Sequence, residues 1–259
     1  MYLWDWNLVE GFILAFIRAG VAIALMPVFG YHAVPMQVKA GLGFILALTL
    51  APMAAQQIAA APPGALPVVA AAAAEAVVGI FIGLVAALIL VAAEMAGTLV
   101  GMQMGFDSVS LLDPLVQHEV NVIGQMQYLL AFVIFIALDA HHYLISALSE
   151  SFRLIPLGGL VWQPQMTPFY SRLVADTIDI ALKLAAPVLT IILISEVALG
   201  FVARAMPQMN VFIISFPLKI GIGLFALATG LPLFVYVISK AFNHFEAGII
   251  KIIGMAAGR

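Results

Sequence analysis

No cysteine occurs in the 259 residues, which excludes a disulfide framework, a thiol nucleophile and a thiolate metal site. Charge is almost as scarce: Asp, Glu, Lys and Arg make up 9% of the chain, against roughly 25% in a soluble domain. The net charge of −3 is small and spread along the chain, so there is neither a nucleic-acid footprint nor a polybasic lipid patch. Signatures of chemistry are missing too. There is no Walker A sequence, and neither Gly41-Leu42-Gly43 nor Gly221-Ile222-Gly223 completes a dinucleotide fingerprint. No nucleophile elbow or Ser/His/Asp constellation is present, so neither catalysis nor a cofactor is expected. A cleaved signal peptide is not expected either, because Asp5 and Glu10 stand where a basic region would be and Arg18 interrupts the first apolar run.

What the chain does contain is apolar sequence: 64% of residues, with a mean hydropathy of +1.16. Residues 19–38, 40–74, 76–93, 120–138 and 220–239 carry no Asp, Glu, Lys or Arg, and a bilayer-spanning helix needs roughly 20 apolar residues. With the shorter stretches 184–195 and 205–218, the count predicts six spans, give or take one. The runs are continuous instead of alternating, and lipid cannot hydrogen-bond a backbone, so the fold class is all-α in an integral membrane protein. A single domain covering 1–259 is the simplest organisation.

Punctuation sets the expected helices. The first runs from Asn7 to about Phe29, the second to about Ala61 with a kink at Pro52, and Ala61-Pro62-Pro63-Gly64 is a turn. The third, Leu66 to about Gly105, would be about 60 Å long at 1.5 Å per residue, roughly twice the hydrocarbon thickness. An acidic segment follows from Phe106 to Asn121, and a fourth helix from Val122 to Leu138. Tyr143 to Ile155 is of mixed polarity, and Pro156 to Pro168 is the longest expected loop. Two long helices, about Pro168 to Ala205 and Val211 to Gly248, contain Pro187, Pro217 and Pro232, which should bend them. The distribution of Lys and Arg does not choose an orientation in the membrane.

Within the third helix, Gly97, Gly101 and Gly105 recur every fourth residue, and Gly79 and Gly83 repeat the spacing upstream. Such spacing lets another helix come close, whether from the same chain or from another subunit. Met102 and Met104 are interleaved with these glycines, and an unbranched thioether suits either a deformable seal or core filling. Arg18, Glu94, Lys183, Glu196 and Lys219 lie inside apolar stretches, each costing roughly 2.5–3.5 kcal/mol at a helix centre unless paired. A transporter could use Arg18, Glu94 and Glu196 as a relay, whereas a structural subunit would use such residues as interhelical pairs. Asp139 and His142 can share a helix face, but with no second ligand cluster nearby no metal site is expected, and Asp139 is assigned as the N-cap of the following helix.

The stretch Gly97 to Pro114, GTLVGMQMGFDSVSLLDP, resembles the FliR family of flagellar biosynthetic proteins. The likeness extends to Arg18 and Pro27, to VPMQVKAGLG at 34–43, LDAHHYLI at 138–145, SFRLIP at 151–156, AMPQMNVF at 205–212 and FPLK at 216–219. It implies kinked helical hairpins packed into a helical multi-subunit assembly, the type III secretion export gate, standing largely above the bilayer plane. The implied setting is the flagellar basal body in the bacterial inner membrane. The implied partners are FliP and FliQ subunits around one R subunit, the FlhB switch protein, membrane lipid and the unfolded flagellar proteins that are exported. The family's plug, a loop that narrows the closed channel beside a methionine-rich gasket, falls on Phe106 to about Asn121. The implied gate residues are Met102, Met104, Phe106, Asp107, Ser108, Val109, Leu111 and Leu112. The acidity of this segment, with Asp107, Asp113 and Glu119, departs from that pattern. Injectisomes use a related subunit; GMQMGF and MPQMNVFIISFPL are most similar to the flagellar form.

Overall fold

The computed structural model describes residues 6–27, 34–54, 65–106, 121–208 and 210–257, and the chain is all-α, with no strand among them. Seven helices follow one another: α1 Trp6–Leu25, α2 Met36–Ala54, α3 Ala65–Met104, α4 Val122–Ala137, α5 Ala140–Leu154, α6 Met166–Ala205 and α7 Val211–Ala256. Prolines mark several ends. Pro35 precedes α2, where its carbonyl accepts from Val38 N at 3.0 Å, and Pro156 follows the close of α5. Inside α6 and α7, by contrast, Pro187, Pro217 and Pro232 are carried within continuous helices. The mixed-polarity stretch after Asp139 is a full helix, with Leu144, Leu148 and Phe152 on its buried stripe and polar residues elsewhere.

Among the described residues, three helical stretches are long and apolar enough to cross a membrane: Val68–Met104, Met166–Ala205 and Ile213–Ala256. The bent pair α4 and α5, broken at Leu138 and Asp139, makes a fourth if it counts as one span. The six spans expected from the uncharged runs do not map one-to-one onto these helices, because an uncharged run is not a helix. Run 19–38 contains both the end of α1 and the start of α2. Glu75, which separated two runs, lies in the interior of α3.

Contacts group the chain into two compact units: residues 1–88, 135–174 and 242–259 form the first, and 89–134 and 175–241 the second. All four chain crossings fall inside α3, α4, α6 and α7, so no linker separates the units.

In the first unit, α1 packs on α2 and α2 on α5. Phe12 and Phe16 of α1 meet the Phe44 ring edge-on at 5.2 and 6.4 Å, and Gly43 approaches Gly20 closely enough that an added Cβ would stand 3.1 Å from its Cα. Phe81 of α3 stacks on Tyr170 at 4.3 Å and leans on Trp162 at 6.0 Å.

The second unit has a core of small and branched residues, among them Ala92, Ala96, Val100, Ala181, Val188 and Ile192. Its α6 and α7 are mostly uncovered, with Ile194, Phe201, Ile213 and Phe225 exposed. Apolar faces of this extent require lipid or other protein against them.

Candidate functional site

Arg18 sits in the middle of α1 and is completely buried, as is Glu75 of α3, at 0% and 1% exposure. Their pairing is bidentate: Arg18 Nε donates to Glu75 Oε2 at 2.5 Å and Nη2 to Oε1 at 3.0 Å. The remaining donors reach the end of α5, where Nη1 meets Ser151 O at 2.9 Å and Ser151 Oγ at 3.4 Å, and Nη2 meets Ile155 O at 3.2 Å. Five hydrogen bonds thus match the five N–H donors of a guanidinium. Arg18 places its positive charge at the C-terminal end of α5, the negative end of its dipole, where Ser151 O also accepts from Ile155 N at 2.9 Å. The Phe152 ring covers the guanidinium, 4.5 Å from Cζ to the ring centre. Glu75 Oε1 also accepts from Gly158 N at 2.7 Å, and Gly158 adopts φ +73° so that the loop can present that N–H. One buried ion pair therefore ties α1, α3, α5 and the loop after α5.

The small residues of α3 provide the close contacts. An added Cβ at Gly79 would lie 2.7 Å from Arg18 O, and one at Gly83 2.8 Å from Ala22 O, so α1 rests on the α3 backbone. In the second unit a Cβ at Gly97 would lie 2.6 Å from Gly124 Cα, and one at Gly101 would lie 2.8 Å from Asn121 Oδ1. Gly105 has a different position: it takes φ +86° just past α3, and its N–H reaches Gly101 O and Met102 O, both at 3.1 Å. Met104 is fully buried, and an added Cβ at Gly223 of α7 would stand 2.7 Å from its Cγ, Sδ and Cε. Met102 is 57% exposed and Phe106 half-buried. Asp107, Ser108, Val109, Leu111 and Leu112 lie outside the described residues.

Asn121, which sequence reasoning did not single out, fixes the far side of that segment. Its Oδ1 accepts from Gly124 N at 2.7 Å, an N-cap for α4, while its Nδ2 reaches Thr98 O on α3 at 3.5 Å. An Asn immediately before an apolar helix was the available signal.

The other charges singled out in apolar stretches are paired locally or exposed. Glu196 of α6 pairs with Lys219 of α7, both partly buried. Lys183 pairs with Asp179 one turn away at 2.5 Å on an exposed face, and Glu94 is exposed. Asp139 stands at the N-cap position of α5, as expected, although its side chain makes no capping bond. Its backbone is left-handed at φ 53°, and its carboxylate turns to His142. Beside α6 and α7, a cavity of about 240 Å³ is lined by Gln127, Leu130, Pro187, Leu224 and Phe234 within the second unit.

Long apolar helices, uncovered apolar faces and charges neutralised in pairs define the class as a helical membrane protein built to be covered. Residues 9–245 match the model of a family described as bacterial export proteins, family 1. The chain is 29% identical over 244 residues to the flagellar biosynthetic protein FliR of Bacillus subtilis (strain 168), covering 92% of each chain. It is 30% identical over 239 residues to FliR of Pectobacterium carotovorum subsp. carotovorum, covering 89% of this chain and 88% of the relative. The Yop proteins translocation protein T of Yersinia pestis is 31% identical over 147 residues, 56% of each chain. The chain belongs to the FliR family of bacterial export proteins. It is a membrane-embedded subunit of the type III export-gate class, a family of secretion components and not of known enzymes.

Proposed function

We propose that this chain is the R subunit of a flagellar export gate in the bacterial inner membrane, one copy assembling with FliP and FliQ subunits beside FlhB in the basal body. The observation that carries the flagellar reading is the extent of likeness: 92% of the chain aligns with a flagellar FliR, whereas 56% aligns with the Yop translocation protein T. The uncovered faces of α6 and α7 support a subunit whose folding is completed by neighbours. Deleting the gene in its own host should abolish flagellar assembly and swimming, and a plasmid copy should restore them. Intact flagella with loss of an injected effector would overturn the flagellar reading. The complex, purified through this chain, should contain two different small membrane proteins and a single copy of the bait by intact mass. A lone monomer or symmetric homo-oligomer would instead fit a stand-alone transporter.

Within the gate, the segment from Phe106 to Asn121 acts as the plug, and unfolded flagellar proteins pass when it is displaced. Support comes from its two ends. Gly105 and Met104 hold the first on α3, and Asn121 returns to α3 at Thr98 and Gly101, so both ends of the segment meet the same helix. Met102, exposed, and Phe106, half-buried, stand where α3 ends and the segment begins, and Met104 is buried against Gly223. Deleting residues within 107–120 should make the purified complex leak ions in planar bilayers; unchanged conductance would remove the plug assignment.

A further inference from the structure

We propose that Asp139, His141 and His142 form a binding site for a divalent transition-metal ion of the zinc type. Each residue offers one ligand atom, and the three atoms lie within 4.8 Å of one another. Asp139 Oδ1 and His142 Nδ1 are 3.4 Å apart. Two donors on a tetrahedral zinc with bonds of about 2.0–2.1 Å stand about 3.3–3.4 Å apart, so this pair already spans one edge of such a site. The two imidazole rings are 4.1 Å apart between centres.

Both histidines lie in the first turn of α5, yet their rings stay close together, and the carboxylate of Asp139 is not engaged in capping. Asp139 makes no capping bond, and its left-handed backbone, unique among the described non-glycine residues, precedes the first turn of α5, where His142 N bonds Asp139 O at 2.9 Å. His141 Nδ1 is buried and has no hydrogen-bond partner. An imidazole nitrogen held out of water without a partner is costly unless something binds that ring.

Two imidazoles and a carboxylate are a borderline-soft donor set that suits Zn²⁺, Co²⁺ or Ni²⁺ and does not suit Mg²⁺ or Ca²⁺, which take oxygen ligands. At 71% and 69% exposure, Asp139 and His142 leave the remaining coordination positions open to water or to a ligand from a neighbouring protein. The first unit contains the whole site, and the proposal stands apart from the export reading.

The test is a Co²⁺ titration of the full chain, purified in its complex through a tag without histidine and followed by the visible ligand-field bands. Saturable binding of one equivalent is expected, displaced by Zn²⁺ and not by Mg²⁺. Asp139→Asn and His142→Ala should each weaken Co²⁺ binding more than about tenfold, while His244→Ala leaves it unchanged. Both altered side chains are exposed, and far-UV circular dichroism of each variant should match the parent. Absence of saturable bands in the parent, or unchanged affinity in both variants, would overturn the proposal.

Discussion

The two units solve the problem of charge in an apolar chain differently. In the first, Arg18 and Glu75 are withdrawn entirely from the surface, Arg18's remaining donors reach Ser151 and Ile155, and Glu75 also accepts from Gly158. In the second, Lys219 and Glu196 make a single interhelical contact while retaining 21% and 35% exposure, and cohesion comes from backbone approach at Gly97 and Gly101 and from Met104 seated against Gly223. A fully satisfied buried pair fixes a local structure strongly, since removing one partner strands the other. Close-packed small residues with uncovered flanks hold helices together yet leave their outer faces for something else. The first unit fixes its helices through a buried charge pair, although Phe44, Ile45 and Leu48 of α2 stay exposed, and the second relies on close backbone packing while most of α6 and α7 stays uncovered.

Substitutions can break or sharpen this contrast. The largest loss is expected for Arg18→Ala or Glu75→Ala, about 3–5 kcal/mol each, because an uncompensated charge remains buried. Stability to SDS in mixed micelles would measure it, and the double variant Arg18→Met with Glu75→Leu should recover most of the loss. If the single variants cost less than the second-unit variants below, the contrast fails. Met104→Ala should cost about 2–5 kcal/mol in the same assay by opening a cavity beside Gly223. Gly97→Val forces a branched side chain against Gly124 and should cost about 1–3 kcal/mol, with cross-linking between α3 and α4 reporting their separation. The smallest effect belongs to Lys219→Ala, below about 1 kcal/mol in the isolated chain, since the pair is partly open. A cost comparable to that of Arg18→Ala would erase the distinction between the units.

Much of this was legible in the chain itself. Both ends of α3 and α6 and the start of α7 fall near their expected places because glycine and proline act locally, while α7 runs past the expected Gly248 to Ala256. Arg18 was conspicuous as a charge in an apolar run, but its partner was not singled out, since Glu75 lies 57 residues away and no local pattern links the two. Asp139 shows the opposite error: its position beside α5 was anticipated, while its left-handed backbone and its orientation toward His142 depend on how the chain turns between two helices.

Composition and periodicity determined that this protein is helical, membrane-embedded and without the usual catalytic signatures, because backbone hydrogen bonding in lipid admits few alternatives and helix ends obey near-neighbour rules. Tertiary structure alone decided which charges neutralise one another, which glycines admit a neighbouring backbone and which faces stay uncovered. Those outcomes depend on residues distant in sequence meeting at separations of a few ångströms, and no local rule encodes that separation.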